Sequence, residues 1–390
     1  MTPAARFAAA IELLDNILVG ESAEKLLTRW ARGHRFAGSK DRAAIRDHVY
    51  DALRRRRSLA ALGGAETGRG LVLGLVRAAG DDPEVIFDGS GYGPPPLTPE
   101  EVAGGRAPAD GPEALDCPDW LWPAFTQSLG DAAAADAVAA LRDRAPVHLR
   151  AHAGRVTADD AVAHLAAGGI TALSHPLSPT ALEVTQGARQ LRNDPAVLSG
   201  ALEFQDAASQ AVSDLVPLEP GQRLLDYCAG GGGKTLAIGA RVPEAAYFAH
   251  DAMPRRMADL PDRAARAGLD VTCLTADDCA AAPPFDTVLV DAPCSGSGSW
   301  RRDPQGKWAL DPARLEDLIA LQARILDAAA QHVAPGGRLV YVTCSLLRAE
   351  NSAQIDAFLR RQSGWARIFE KQMTPAMGGD GFFVATLALN

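Results

Sequence analysis

The part of the chain after Gly200 alternates short apolar runs with helical segments. Such β-rich runs separated by helices predict an α/β fold with a mostly parallel, doubly wound sheet, in which ligands bind at the carboxyl ends of the strands. We therefore expect the functional residues at 226–233, 250–251, 277–278, 291–294 and 343–345. These positions end the five runs RLLDYC (223–228), AAYFAH (245–250), VTCLTA (271–276), TVLVDAPC (287–294) and RLVYVTCS (338–345).

The first 144 residues show a different pattern, because their apolar residues recur at helical spacing. Ser39 is the expected N-cap of a helix in the segment that ends at Arg55, and Ala-rich helical segments continue to about Arg144. A strand, a helix and two further strand-like pieces then follow. The expected division is an all-helical domain over 1–144, a small α+β subdomain over 145–200 and the larger α/β domain over 201–390.

The amino terminus indicates no targeting segment. Residues 1–21 carry Glu12 and Asp15 and lack a small-residue cleavage site, which is typical of an amphipathic helix. No run approaches the ~18 uninterrupted apolar residues of a membrane span. We therefore expect a cytoplasmic protein, and we expect it to be a monomer.

Charge is distributed unevenly along the chain. The net charge is −9, yet residues 1–60 hold twelve Lys and Arg against seven Asp and Glu. This basic segment, which ends in LRRRRS (53–58), could follow nucleic-acid phosphates or simply be a solvated helix face. The six cysteines include no C-x-x-C pair, so neither a disulfide framework nor a metal site is expected.

The glycine-rich segment LLDYCAGGGGKT (224–235) predicts a nucleoside-cofactor loop between a strand and a helix. Its GKT is not part of a phosphate loop of the NTPase kind, because position 228 is cysteine where that motif needs glycine. Asp251, at the end of the next strand, could accept hydrogen bonds from ribose hydroxyls, and Asp277 or Asp278 could contact the adenine. This pattern suits S-adenosylmethionine as well as NAD.

Two cysteines, Cys294 and Cys344, end predicted strands on the ligand edge of the sheet. Beside a methyl donor, such a pair indicates methylation of cytosine at carbon 5. A thiolate that adds to carbon 6 makes carbon 5 nucleophilic, and a base must later remove the carbon 5 proton. Because few thiols are ionised at neutral pH, we expect nearby positive charge from Arg301, Arg302 and Lys307.

With these motifs the chain resembles the Sun-type (nucleolar-protein/Sun) family of RNA cytosine-5 methyltransferases, most of all the bacterial 16S rRNA enzymes with an N-terminal NusB-like domain. The likeness extends over nearly the whole chain and rests on LEFQDAASQAV (202–212), DYCAGGGGKT (226–235), HDAMPRRM (250–257), VDAPCSGSG (290–298), VTCS (342–345) and GDGFFVATL (379–387). It implies a Rossmann-like class I methyltransferase domain after an RNA-binding NusB-like domain, S-adenosylmethionine as cofactor, and RNA, most of all rRNA, as partner.

The resemblance also implies individual roles. Cys344 is the nucleophile, Cys294 assists proton removal and product release, and Asp291 holds the edge of the target base. The implied cofactor-binding residues are Cys228, Ala229, Gly230, Gly231, Gly232, Gly233, Lys234, Asp251, Arg256, Asp278 and Asp291.

The chain departs from the family pattern in two places. Gly230 and Gly231 stand where relatives commonly have Ala and Pro, which loosens the cofactor loop. The segment PVHLRAH (146–152) lacks the Asn that relatives often place after Arg-x. Three alternatives remain open: a catalytically silent RNA-binding ribosome-assembly factor, the same chemistry on tRNA, and a different methyltransferase or a dehydrogenase on the same sheet.

Overall fold

A computed structural model describes residues 1–389. Its contacts divide the chain into two compact units. The helical unit comprises Met1–Arg144 and Trp300–Ala309, and the sheet unit comprises Ala145–Ser299 and the chain from Leu310 onward. The sheet unit contains both the predicted small subdomain and the predicted α/β domain, whose boundary stays a prediction.

The helical unit is built from nine helices and one later segment. Its core is formed by fully buried side chains that recur at helical spacing, such as Leu14, Ile45 and Leu71. Gly38, one residue before the predicted Ser39, is the N-cap of the third helix. The nine helices are α1 (Pro3–Leu18), α2 (Ala23–Gly33), α3 (Ser39–Arg54), α4 (Arg56–Gly63), α5 (Gly68–Ala79), α6 (Pro83–Ile86), α7 (Pro99–Ala103), α8 (Trp122–Leu129) and α9 (Asp131–Ala140).

The segment 300–309 completes the helical unit. Lys307 is buried and donates hydrogen bonds to the main-chain oxygens of Arg54 and Asp116, at 3.1 and 2.7 Å. The indole of Trp308 donates to the main-chain oxygen of Leu53 at 2.7 Å. Burial lowers the pKa of Lys307 to about 8. The expectation that Lys307 supplies charge to a catalytic thiolate is therefore wrong, because the Lys307 ammonium group is buried in the helical unit and hydrogen-bonded to carbonyl groups there.

No single helix in residues 1–389 is long and apolar enough to cross a membrane. The pair α4 and α5 passes that test of length and composition together, but the two helices are bent by 88°.

The small sheet of the sheet unit is antiparallel, with strand order β2-β3-β1-β4. Leu149 and Leu182 are paired across β1 and β3 and are buried against Leu165 of the helix that covers this face. Nε2 of His152, just after β1, is 3.0 Å from the main-chain oxygen of Ala267. The elements are β1 (Val147–Ala151), α10 (Ala158–Ala167), β2 (Thr171–Ser174), β3 (Ala181–Gln186), α11 (Pro195–Leu198) and β4 (Leu202–Phe204).

The large sheet has seven strands in the order β10-β11-β9-β8-β5-β6-β7. The five strands from β9 to β7 are parallel, whereas β11 and β10 run antiparallel as a closing hairpin. The elements are α12 (Ala207–Asp214), β5 (Arg223–Asp226), α13 (Gly233–Arg241), β6 (Ala246–Ala249), α14 (Leu260–Ala267), β7 (Val271–Cys273), α15 (Ala276–Ala281), β8 (Phe285–Asp291), α16 (Pro304–Ala309, in the helical unit), α17 (Pro312–Ala330), β9 (Val333–Thr343), α18 (Ser352–Arg361), β10 (Trp365–Met373) and β11 (Phe382–Leu389).

The strand order reverses beside β5, the first strand of the large sheet, with β6 on one side and β8 on the other. In an open α/β sheet, this reversal leaves a crevice at the carboxyl ends of the strands, where ligands bind. Helices cover both faces of the sheet and bury its apolar side chains, among them Val288 and Tyr341 on one face and Leu224 and Val342 on the other. The predicted parallel, doubly wound sheet is confirmed.

Candidate active site

The two predicted catalytic cysteines are neighbours. Cys294 lies three residues after the end of β8, and Cys344 directly follows β9, which pairs with β8 in parallel. The two Sγ atoms are 3.4 Å apart, within hydrogen-bond distance for sulfur, although fifty residues separate them in sequence. Both cysteines are half-buried.

The loops that carry the cysteines are bonded to each other directly. The amide of Gly298 donates to the main-chain oxygen of Cys344 at 2.9 Å, and the amide of Leu346 donates to the Ser297 hydroxyl at 2.9 Å. The hydroxyls of Ser297 and Ser345 are 3.0 Å apart. These bonds fix the separation of the two thiols without relying on the thiols themselves.

The carboxylate of Glu350 connects the two cysteine loops. This carboxylate is fully buried and accepts four hydrogen bonds: from the amide and the hydroxyl of Ser295 at 2.7 and 2.5 Å, from the hydroxyl of Ser345 at 2.5 Å, and from the amide of Gln322 at 2.9 Å. A buried carboxylate is tolerated when its oxygens are fully paired in this way. Because Ser295 follows Cys294 and Ser345 follows Cys344, the same side chain positions both cysteine loops.

A buried lysine lies on the other side of the pair. Lys234, in the first turn of α13, donates to the carboxylate of Asp291 at 2.5 Å and stacks over the ring of Phe382 at 5.1 Å. Burial lowers the pKa of Lys234, but the charge and hydrogen bond of Asp291, together with the charges of Cys344 and Asp226, outweigh burial and raise the pKa. Lys234 therefore stays protonated as a fixed positive charge within the site.

The surroundings shift the two thiol pKa values in opposite directions. The hydrogen bond with Cys294, the charge of Lys234 and the Ser299 hydroxyl lower the pKa of Cys344, against burial and the charge of Asp291. The hydrogen bond with Cys344, burial, and the charges of Cys344 and Glu350 raise the pKa of Cys294 well above its usual range. Cys344 is thus the thiol that ionises first, and Cys294 is the thiol that keeps its proton.

The glycine loop lies at the carboxyl end of β5, beside the end of β8. Gly230 and Gly232 have φ angles of 51° and 75°, which glycine adopts without strain. The amide of Gly230 donates to Asp251 at 3.0 Å, and Arg256 forms an ion pair with the same carboxylate at 3.2 Å. The loop and the acid that follows β6 are therefore held together, as a nucleoside site requires.

Asp226, the last residue of β5, is buried at the start of this loop. One carboxylate oxygen accepts a 2.6 Å hydrogen bond from the Thr235 hydroxyl, and the other oxygen, Oδ1, has no partner in residues 1–389. Burial raises the pKa of Asp226 to about 7. An unpartnered buried acceptor costs free energy, so a ligand that donates a hydrogen bond fits here.

The other predicted cofactor residues are divided between the loop and a helix further along. Cys228, Ala229, Gly231 and Gly233 are half-buried in the loop, and the carbonyl of Gly231 accepts a hydrogen bond from Arg263. Asp277 and Asp278 are exposed in the first turn of α15. The carboxylate of Asp278 bonds the amide and hydroxyl of Thr275, which caps this helix, and the hydroxyl bond lowers the pKa of Asp278.

Glu350, Gln322 and Ser299 contribute to the site but were not identified from the sequence. A buried Glu on a short turn after VTCS has no local pattern that separates it from a solvated one. The only sequence signal for Glu350 is its position in AEN (349–351), a few residues after the motif VTCS at the ligand edge of the sheet.

One group of potential metal ligands lies in the small sheet. His148, His175 and Glu183 have ligand atoms within 4.8 Å of one another, and His148 is directly opposite Glu183 across β1 and β3. Nδ1 of His148 is 3.1 Å from the carboxylate of Asp206, and Nδ1 of His175 accepts the amide of Leu177. The prediction that the chain has no metal site stays a prediction.

Comparison with known proteins identifies the family. Residues 214–388 match the family model of 16S rRNA methyltransferase RsmB/F, and residues 117–189 match that of the RsmF/B-like ferredoxin-like domain. Ribosomal RNA small subunit methyltransferase B of Xanthomonas campestris is 37% identical over 289 residues, which cover 69% of this chain and 66% of that protein. The chain belongs to the RsmB/F family. It spans about two thirds of the length of the curated relatives that it matches.

Solved structures support the fold. The crystal structure of PH0851 aligns with a TM-score of 0.74 and 21% identity, covering 99% of each chain. The structure of NSun6 from Pyrococcus horikoshii with SFG aligns with a TM-score of 0.61 and 17% identity, over 70% of this chain and 98% of that one. At these identities the likeness shows the fold alone. It confirms the Rossmann-like methyltransferase domain after a helical amino-terminal part.

Proposed function

We propose that this protein is an S-adenosylmethionine-dependent RNA methyltransferase that modifies carbon 5 of a cytosine in 16S rRNA. The observation that carries this proposal is the pair of thiols, 3.4 Å apart, whose pKa values are shifted in opposite directions. Methylation of an amine or a hydroxyl group needs no such pair. The names of the matched family and of the curated relatives support rRNA as the substrate.

The residues of the glycine loop fit S-adenosylmethionine, which when bound supplies the methyl group. The loop itself consists of the peptide from Cys228 to Gly233, and Asp226, whose Oδ1 has no partner in the described residues, lies at the start of the loop. Asp251, which is ion-paired with Arg256, is the proposed acceptor for the ribose hydroxyls. Asp278, exposed on α15, is the proposed contact for the adenine end.

Cys344 is the proposed nucleophile. Its pKa is lowered next to the fixed charge of Lys234, so it supplies the thiolate that forms a bond to carbon 6 of the cytosine. The addition breaks the 5,6 double bond and makes carbon 5 nucleophilic. Asp291, which is bonded to Lys234 and partly exposed, is the proposed contact for the edge of the base.

Cys294 is the proposed base for the later step. While Cys344 is a thiolate, its negative charge and its hydrogen bond hold the proton on Cys294. Once Cys344 is bonded to carbon 6, that charge is gone, and the largest cause of the raised pKa of Cys294 is gone with it. Once carbon 5 carries the methyl group, Cys294 releases its thiol proton to solvent water and takes the carbon 5 proton. The electron pair of that C–H bond re-forms the 5,6 double bond as the bond between Cys344 and carbon 6 breaks.

The substrate must expose both faces of the cytosine ring to these groups. A base stacked within a duplex does not do so, so unpaired rRNA is the expected form of the substrate. The same chemistry on tRNA would use the same thiols, and only the choice of RNA in the assay distinguishes the two substrates.

The test is a comparison of single cysteine variants with 16S rRNA and with tRNA transcripts. Cys344→Ala should abolish methyl incorporation and any covalent adduct. Cys294→Ala should accumulate a protein–RNA adduct that survives denaturation. Cys273→Ala, which changes an exposed thiol at the end of β7, should behave like the unmodified protein.

Two outcomes contradict the proposal. Normal turnover of the Cys294→Ala protein without an adduct would remove its assigned role. Binding of rRNA without methyl incorporation by the unmodified protein would favour the silent ribosome-assembly factor.

A further inference from the structure

A basic groove lies between α2 and α3 of the helical unit. Its volume is about 920 Å³, and it is open to solvent. Four exposed arginines line it against a single acid, Glu24, and the four are Arg32, Arg35, Arg42 and Arg46. Among residues 1–389, the first three of these arginines form no ion pair, and Arg46 is 3.7 Å from Asp47. The groove therefore presents positive charge that the protein does not neutralise.

An aromatic series adjoins these arginines. The rings of Trp30, which lines the groove, and His34 are stacked 4.4 Å apart, and the ring of Phe36 meets His34 edge-on at 5.7 Å. Phe36 lies between the lining residues Arg35 and Ala37, and it is 74% exposed. An exposed aromatic ring beside unpaired guanidinium groups offers a face on which a nucleotide base can stack.

We propose that this groove binds a single-stranded segment of RNA, with the arginines on phosphates and Phe36 stacked on a base. Charge complementarity selects a polyanion, and arginine combined with an exposed aromatic ring is the arrangement by which proteins hold unpaired nucleotides. An acidic protein segment would match the charge but would not need the ring. The inference rests on the proposed RNA substrate, and it adds a binding site whose residues all lie outside the sheet unit.

The spacing of the arginines also favours a strand of RNA. Arg42 and Arg46 are four residues apart on α3 and so lie on one face of that helix. Arg32 and Arg35 lie at the end of α2 and just beyond it, on the opposite wall of the groove. Charges on two walls with an open channel between them suit a backbone that passes through.

The test measures RNA binding alone, by fluorescence anisotropy of a labelled single-stranded RNA of about 12 nucleotides with the full chain. Arg42→Gln/Arg46→Gln should weaken binding about tenfold. It should also reduce the slope of log K against log salt by about 1.4, because each phosphate that an arginine no longer neutralises lowers the slope by about 0.7. Phe36→Leu should weaken binding about tenfold with little change in the salt slope, since stacking is not ionic.

The matched control is Arg29→Gln/Arg106→Gln, which removes the same charge from two exposed arginines that are already paired with Glu21 and Glu113. If the control and the groove variant weaken binding equally, the groove contributes only general positive charge, and the proposal is overturned. Unchanged binding in Phe36→Leu would also overturn it, as would a polyglutamate peptide that displaces the RNA at equal charge concentration, because that result favours an acidic protein partner.

The result is separable from the catalytic proposal. Weakened binding in the groove variants, with methyl transfer to a short cytosine-containing oligonucleotide retained, would support both proposals. Retained RNA binding together with absent methyl transfer in the unmodified chain would contradict only the catalytic one.

Discussion

The two cysteine loops each carry a cysteine just after a strand of the parallel sheet, yet nearby groups shift the pKa values of the two thiols in opposite directions. Cys344 lies under the influence of the Lys234 ammonium and the Ser299 hydroxyl, which favour its thiolate. Cys294 lies under the influence of the Glu350 carboxylate, which favours its protonated thiol. The hydrogen bond between the two thiols is the largest cause of both pKa shifts, and Lys234 and Glu350, which lie outside both motifs, act in the same two directions. The motif sequences alone therefore do not determine which thiol ionises first.

The largest expected effect comes from the carboxylate that joins the loops. Glu350→Ala leaves the buried donors of Ser295, Ser345 and Gln322 without an acceptor, so it should lower the free energy of unfolding by about 3–5 kcal/mol. The measurement is urea denaturation. The control, Glu316→Ala on the exposed face of α17, should stay within about 0.5 kcal/mol. If the two variants are equally stable, Glu350 does not hold the loops.

The second comparison uses each cysteine to report on the other. Alkylation by iodoacetamide at pH 7, followed by mass spectrometry of the peptides, measures the thiolate fraction of each. In Cys294→Ala the thiolate of Cys344 loses its hydrogen-bond donor, so Cys344 should react about tenfold more slowly. In Cys344→Ala the neighbouring negative charge is removed, so Cys294 should react about tenfold faster. Two changes in the same direction would show that the thiols are not coupled.

A third prediction isolates the lysine. A lowered pKa means that Cys344 ionises at a lower pH than an ordinary thiol, so its alkylation profile should rise early. Lys234→Met removes the positive charge, moves that profile to higher pH and should slow alkylation at pH 7 by roughly fivefold. Arg338→Met, in the strand β9 that ends just before Cys344, is the control. A profile that shifts equally in both variants would assign the effect to net charge and not to Lys234.

The sequence predicted much of the frame of this site but little of its electrostatics. The alternation after Gly200 placed Asp226, Cys294 and Cys344 on one edge of a parallel sheet, because strand ends are local features. It assigned the activating charge to Arg301, Arg302 and Lys307, and the structure places Lys307 against carbonyl groups of the helical unit. That assignment used only nearness in sequence to Cys294. Lys234, by contrast, lies on α13, 57 residues before its partner Asp291 in the chain, and is brought to the thiols by the fold.

The smallest effect tests how finely the loops differ. The hydroxyl of Ser299 donates to the main-chain oxygen of Gly296 at 3.0 Å and lies 3.9 Å from Sγ of Cys344. The hydroxyl of Ser297 accepts the amide of Leu346 at 2.9 Å and lies 3.0 Å from that of Ser345. Ser299→Ala should slow alkylation of Cys344 at pH 7 about twofold and, because the bond to Gly296 is lost, lower the free energy of unfolding by about 0.5–1.5 kcal/mol. Ser297→Ala should lower the free energy of unfolding more, by about 1–3 kcal/mol, with little direct effect on the thiolate. Both substitutions remove one hydroxyl from the same loop. If the two variants change the alkylation rate and the free energy of unfolding equally, the loop acts on Cys344 only through its conformation. The difference between the two cysteine loops would then be caused by Lys234 and Glu350 alone.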